Sequence, residues 1–156
     1  MDLKELKKEI PYKWRVQSFS KNKAKASVVA YIDSRDAQRL LDEVVGPENW
    51  QDKYYEAGGL LFCAVGIKCG DDWVWKSDTG SESNQDKEKG HASDAFKRAC
   101  VKWGIGRFLY ELKILYVDTN GAKSDSNRYP HVVDGNGKKV WDVNEYVNKQ
   151  ITENNW

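Results

Sequence analysis

The sequence is poor in the residues that build metal centres and disulfide frameworks. Its 156 residues include only three cysteines and two histidines. The cysteines are odd in number and form no C-x-x-C pair, and His91 and His131 lack the spacing of metal ligands. Neither a disulfide framework nor a zinc site is therefore expected, and the cysteines are interpreted as reduced, half-buried thiols.

The motifs of several common enzyme classes are missing as well. The chain has no GxxxxGK[ST], GxSxG or HExxH run, and Gly104-Ile-Gly106 is not a GxGxxG fingerprint. No apolar stretch approaches the roughly 18 residues of a membrane span, and the first ten residues lack the apolar segment of a secretion signal. These absences predict a cytoplasmic protein that is not an enzyme, needs no cofactor and does not contact membranes.

One enzymatic alternative stays open. Clustered carboxylates can hold the magnesium of a nuclease, and Asp71, Asp72 and Glu82 are the candidates here. Asp71 and Asp72 fall where the chain needs a turn, so a role in the turn is the simpler interpretation.

Charge is unevenly distributed along a chain whose net charge is only +1. Residues 1–32 carry eight Lys or Arg against three acidic residues, and residues 84–113 carry seven against four. Residues 33–50 are acidic, with five acidic residues against two basic ones. Two separate basic segments in a neutral protein could form one site for a polyanion, or they could be solvated surface.

Local patterns predict an α+β fold with an N-terminal hairpin. Alternating apolar and polar residues predict strands over 12–19 and 24–32, joined by a basic turn. Asp33 and Asp36 have the spacing of a helix cap before an apolar stripe of helical period. Strands over 50–56, 60–69 and 73–78 are joined by short turns, which predicts an antiparallel meander packed on a long helix over 84–103.

The rest of the chain is less regular. Beyond residue 112 we expect an irregular hairpin and a last helix that starts at Asp142. Residues 1–112 are predicted to form the core domain, and 113–156 to pack on it or extend it. Trp14, Trp50 and Trp103 are interpreted as core residues. Trp73 and Trp75 share a strand face, where a core or subunit-interface role is favoured over base stacking.

One gapless run resembles a known family. Residues 89–110, from Lys-Gly-His-Ala-Ser-Asp-Ala-Phe-Lys-Arg to Phe-Leu-Tyr, resemble the signature helix of the Rad52/Rad22 single-strand annealing proteins. Tyr31-Ile-Asp33 and Gly46-Pro-Glu-Asn-Trp50 resemble a second block of that family. The resemblance covers about residues 12–112 and is greatest to the phage and bacterial, DdrA-like branch.

The resemblance implies a β-β-β-α core with a protruding hairpin, assembled into a closed ring. Single-stranded DNA would lie in a groove between the hairpin and the helical base, with its bases available for pairing. Lys97 and Arg98 match the Lys-Arg pair that holds the phosphate backbone in the family. Val101 stands where eukaryotic members are basic, with Lys102 next to it, and Asp36 replaces another basic residue.

The sequence therefore predicts ATP-independent binding and annealing of single-stranded DNA in recombination and repair. The alternatives are a passive single-strand-binding protein and the nuclease described above. Expected partners are single-stranded DNA and further copies of the chain, and a single-strand-binding protein is a candidate. The predicted DNA-binding residues are Lys97, Arg98, Lys102, Arg107, Lys21, Lys23, Lys25, Arg15, Arg35, Arg39 and Lys89.

Overall fold

The computed structural model describes residues 1–80 and 87–156, and for residues 87–89 the backbone alone. It divides into two compact units: a first unit of residues 1–10 and 32–110, and a second unit of residues 11–31 and 111–156. Each unit contains a three-stranded antiparallel sheet, so the predicted α+β fold class is confirmed. The division of the chain at residue 112 stays a prediction.

The regular elements follow the predicted order. In chain order they are β1 (Lys13–Phe19), β2 (Lys25–Tyr31), α1 (Ser34–Val44), β3 (Trp50–Ala57), β4 (Leu60–Cys69), β5 (Asp72–Thr79), α2 (Lys87–Lys102), β6 (Leu115–Asp118) and α3 (Val143–Asn154). The predicted start of the long helix at residue 84 lies outside the described residues.

The first unit is built on the predicted meander. Strand β4 is central, with β3 and β5 on either side. Cys63, Val65 and Ile67 alternate along β4 and are fully buried, and α2 packs on β4 and β5. The face of α2 that meets the sheet includes Ala95 and Ala99, whose small side chains allow close approach.

The opposite face of this sheet is aromatic. Residues directly opposite each other in an antiparallel pair share a face, and Tyr55 pairs with Phe62 while Trp75 pairs with Gly66. The Tyr55 and Phe62 rings stack at 5.4 Å, and the rings of Trp73 and Trp75 lie 6.3 Å apart. Tyr55 remains 41% exposed and Trp73 37% exposed.

Helix α1 begins as its sequence predicts. The Asp33 carboxylate accepts a hydrogen bond from the Asp36 amide, and the Asp36 carboxylate accepts one from the Asp33 amide, which completes a capping box. Its apolar stripe buries Ala37, Leu40 and Leu41. The Ser34 and Ser93 hydroxyls lie 2.6 Å apart and join the start of α1 to α2.

The second unit combines the N-terminal hairpin with the C-terminal part of the chain. Strand β2 pairs with β1 on one side and with β6 on the other. The core of the second unit contains Trp14, Val28, Val117 and Val147, and Val147 comes from α3. The irregular hairpin expected after residue 112 is present as two isolated antiparallel bridges within residues 119–139, and the strand that precedes them joins the N-terminal hairpin.

The predicted core tryptophans differ in their burial. Trp14 is 5% exposed, as predicted. Trp50 and Trp103 are only half-buried, and each indole N–H donates to a polar partner. The Trp50 Nε1 donates to Asp42 Oδ1 at 2.7 Å, and the Trp103 Nε1 donates to the Val65 carbonyl at 3.0 Å.

Candidate nucleic-acid interface

The predicted Lys-Arg pair lies in the C-terminal half of α2 in the first unit. Arg98 is exposed, and its Nε is 3.8 Å from Asp78 Oδ2 on β5. Lys97 is half-buried, and its Nζ donates to the carbonyl of Ile32 at 3.4 Å. Lys97 is thus held beside the start of α1, whereas Arg98 faces β5, where Asp78 offsets part of its charge.

Lys102 and Arg107 bind carbonyls of their own chain. The Lys102 Nζ donates to the Ser77 carbonyl. The Arg107 guanidinium donates to the carbonyls of Val101 at 2.8 Å and Lys102 at 2.9 Å, which are acceptors at the end of α2. Arg107 therefore caps the helix C-terminus, where a cation is also favoured by the helix dipole.

The two predicted arginines of α1 are exposed. The Arg39 Nη1 lies 3.2 Å from Asp36 Oδ1, within the capping box. Because the Ser34–Ser93 contact brings the start of α1 next to α2, Arg35 follows directly on the segment that holds Lys97. The first unit therefore places Arg35 and Lys97 on neighbouring segments, with Arg98 next to Lys97 in the sequence, whereas Lys89 has no described side chain.

The remaining predicted cations belong to the second unit. Lys21 and Lys23 are exposed at the hairpin tip, and Lys25 forms an ion pair with Asp118 of β6. The Arg15 guanidinium lies 5.4 Å from the centre of the Tyr31 ring, a cation–π distance. These cations lie on or next to the hairpin, so the second unit has a basic surface of its own.

The hairpin tip is held in place by the rest of the second unit. The Ser20 hydroxyl accepts from the amides of Asn22 and Lys23, which shapes the turn. The Lys123 amide donates to the Ser20 carbonyl, and the Thr119 amide donates to the Ala24 carbonyl. The basic tip is therefore a braced turn and not a free loop.

Several residues near these cations were not found from the sequence. Asp78 and Asp118 oppose Arg98 and Lys25 across long stretches of chain, and no local pattern indicates such a contact. Lys53 lies 4.3 Å from the Trp75 ring, and Lys76 lies 4.8 Å from the Trp103 ring. The strand register would have revealed the first pair, whereas the second also depends on how the end of α2 packs on the sheet.

The buried thiols of Cys63 and Cys100 are poor nucleophiles at neutral pH. Burial raises the pKa of the Cys63 thiol to about 11 and also raises the pKa of Cys100. At neutral pH both remain protonated and pack as small apolar groups. All three cysteines are free.

The carboxylates considered for a nuclease do not form a described cluster. Asp71 and Asp72 lie at the turn between β4 and β5, and Glu82 lies outside the described residues. The described part of the chain contains no group of three His, Cys, Asp or Glu side chains that could hold a metal ion. Within the same residues, no helix is both long and apolar enough to span a membrane.

Comparison with known proteins identifies the segment that contains the Lys-Arg pair. Residues 63–128 match the model of the Rad52/22 family of double-strand break repair proteins. The matched segment runs from β4 through β5 and α2 to β6, so it includes Arg98 with its counter-charge Asp78, and also Asp118.

Two bacterial relatives extend the similarity beyond this segment. The single-stranded DNA-binding protein DdrA of Deinococcus radiodurans is 30% identical over 121 residues, which cover 76% of this chain and 58% of that protein. The protein of the same name from Deinococcus deserti is 33% identical over 114 residues, which cover 72% of this chain and 56% of that protein. The chain thus spans less than three fifths of these curated relatives. No solved structure matches it.

Proposed function

We propose that this chain binds single-stranded DNA through its phosphates and anneals complementary strands without ATP, as a homo-oligomeric ring. The observation that carries the proposal is the exposed Arg98 beside Lys97 on α2, within the segment that matches the Rad52/22 family. The name of the two Deinococcus relatives supports the same ligand. The expected setting is the bacterial cytoplasm, with a single-strand-binding protein as a candidate partner.

Electrostatics supplies the binding energy in this proposal. Each phosphate that a Lys or Arg neutralises releases condensed counterions, so affinity falls steeply with salt and depends little on base sequence. The basic positions on α1 and α2 and those on the hairpin provide such contacts in each unit. Asp78 offsets part of the charge at Arg98, and the Lys97 Nζ contacts the Ile32 carbonyl.

Annealing follows from how the strand is held. A protein that contacts the backbone leaves the pairing edges of the bases accessible to a second strand. Holding the strand extended removes part of the entropy cost of pairing, and base pairing and stacking supply the driving force. Hydrolysis of a nucleotide is therefore not required.

The aromatic face of the first unit's sheet supports assembly. Tyr55 and Trp73 remain partly exposed on a face where Phe62 and Trp75 also lie. Aromatic residues are enriched in subunit interfaces, and an exposed aromatic sheet face favours association. Head-to-tail contacts that close form a ring, which would place many copies of the Lys97–Arg98 pair in register.

An annealing assay separates this proposal from its alternatives. Two complementary oligonucleotides with a fluorescence donor and acceptor are mixed with and without the protein, in the absence of ATP. We expect the protein to accelerate duplex formation. Binding to each strand without acceleration would instead favour a passive single-strand-binding protein, the alternative suggested by the relatives' name. Shortening of the strands with magnesium would favour the nuclease.

A further inference from the structure

The outward face of the second unit's sheet carries a polar row across all three strands. Ser18 of β1 pairs with Ser27 of β2, and Ser27 pairs with Tyr116 of β6, so the three side chains share one face. The neighbouring positions Val28 and Val117 point to the core on the other side. Alternation along the strands thus places Ser27 and Tyr116 outside.

A β-bulge adds a fourth polar group to this face. The pairing of β1 with β2 shifts between Val16 and Ser18, so Gln17 is an extra residue on β1. Gln17 still reaches the outward face, because its Oε1 accepts a hydrogen bond from the Ser27 hydroxyl at 3.3 Å. The Ser18 and Ser27 hydroxyls lie 3.0 Å apart.

These residues line an open groove with a volume of about 670 Å³. Two cations at or next to the hairpin tip, Lys23 and Lys25, stand at the same groove, which also contains Tyr116. Tyr116 is 65% exposed, which leaves much of its side chain open to solvent. The groove therefore combines an exposed aromatic ring, two ammonium groups and a row of hydroxyl and amide groups.

This combination matches one nucleotide of a single strand. Single-strand binders join cations that follow the phosphates to aromatic rings on which bases stack. The lining is too polar for an apolar protein partner, whose binding core would be depleted of charge. Asp118 forms an ion pair with Lys25, whereas Lys23 is exposed at the turn that the Ser20 hydroxyl shapes. Charge and chemistry thus favour an anionic, aromatic ligand.

We propose that this groove is a base-contacting subsite for single-stranded DNA, in which Tyr116 stacks on one base and Lys23 and Lys25 face its phosphate. The inference rests on the proposed single-strand binding and adds a base contact to it. Stacking uses the π-face of the base and leaves its pairing edge free, so the subsite is compatible with annealing.

The test compares two strands of equal length with three proteins. One strand is an oligodeoxythymidine, and the other carries abasic tetrahydrofuran units in place of every nucleotide. The wild type, Tyr116→Ala and Tyr116→Phe are titrated with both. Base stacking on an aromatic residue is lost on alanine substitution, so we expect Tyr116→Ala to weaken thymidine-strand binding by about 5- to 150-fold. Abasic-strand binding should be unchanged, and Tyr116→Phe should behave as the wild type.

A matched control and a second readout keep the test decisive. Tyr129 belongs to the same unit and is 90% exposed, so Tyr129→Ala removes an equal side chain elsewhere and should change neither affinity. In the wild type, an oligonucleotide that contains 5-iodouracil should photo-crosslink to Tyr116, as mapped by mass spectrometry of the digest.

The possible failures are distinguishable. Unchanged thymidine-strand affinity of Tyr116→Ala, or equal losses on both strands, would overturn the base contact while leaving phosphate binding in place. Absence of a crosslink at Tyr116 would also count against it. If the wild type binds neither strand at low salt, the proposed function itself is wrong, and the subsite with it.

Discussion

Asp78 on β5 and Arg98 on α2 form an ion pair in the first unit, with 3.8 Å between Asp78 Oδ2 and Arg98 Nε. The Asp78 side chain is mostly shielded and the Arg98 side chain is half exposed. A phosphate that approaches Arg98 must therefore compete with a carboxylate of the protein itself. Substitution of Asp78 can therefore change the DNA affinity of the proposed site while its lysine and arginine residues stay in place.

Replacement of Asp78 by Asn should strengthen binding to single-stranded DNA. Asn keeps an oxygen for the Thr79 amide, which now donates to Asp78 Oδ1 at 2.8 Å, but removes the negative charge beside Arg98. An exposed ion pair contributes up to about 1 kcal/mol, so we expect affinity to rise about two- to fivefold in fluorescence anisotropy. Asp71→Asn, the same charge change at an exposed turn, is the control. Equal effects of both variants would indicate only a change in net charge.

Charge reversal at the hairpin tip should weaken binding uniformly across base sequences. The test uses Lys21→Glu with Lys23→Glu and omits Lys25, because a glutamate there would face Asp118 in place of the present ion pair. Each lost phosphate contact should reduce the salt dependence of binding by roughly 0.7 in the logarithmic slope. Lys138→Glu with Lys149→Glu makes the same charge change elsewhere in the second unit. If the two double variants bind alike, the hairpin is not part of the site.

Arg107 should matter more for stability than for DNA binding. Its guanidinium caps the end of α2 through two carbonyls, so Arg107→Ala should lower the free energy of unfolding by about 1 kcal/mol in urea denaturation. The salt slope of DNA binding should match that of the wild type. A flattened slope with unchanged stability would assign Arg107 to the DNA site, as the sequence predicted.

Removal of the exposed aromatic rings should reduce the size of the assembly. Tyr55→Ser with Trp73→Ser removes two partly exposed rings from the aromatic sheet face. We expect a lower mass in light scattering and slower annealing. Trp141 is 83% exposed in the second unit, so Trp141→Ser controls for the loss of a surface indole. A wild type that is a stable monomer at micromolar concentration, free and DNA-bound, but still anneals would refute the ring.

Local signals in the sequence predicted much of the fold. The capping box of α1 depends on two residues three positions apart, and the meander depends on turns too short for any other pairing. In both cases the partners are close in sequence, so the local sequence pattern is sufficient to predict the structure. The helix at the C-terminus also starts at the predicted cap, where the Asp142 carboxylate accepts from the Glu145 amide at 3.0 Å.

Long-range pairing could not be predicted in the same way. Strand β6 is only four residues long, and it pairs with β2 across more than eighty residues of chain. Its alternation of Leu115 and Val117 with polar residues indicates a strand but not a partner. The ion pairs of Lys25 with Asp118 and of Arg98 with Asp78 depend on that register and on helix packing, so the sequence identified cations without their counter-charges.

The most direct test of phosphate binding by α2 is the salt dependence of single-strand affinity for the double variant Lys97→Ala with Arg98→Ala. Lys138→Ala with Lys149→Ala is the matched control, and melting temperature checks the fold, because Lys97 also contacts the Ile32 carbonyl. We expect the double variant to fold, to bind with a slope flattened by roughly 1.4 for two lost contacts, and to lose annealing. A folded double variant that binds with the wild-type slope and anneals at the wild-type rate would contradict the account.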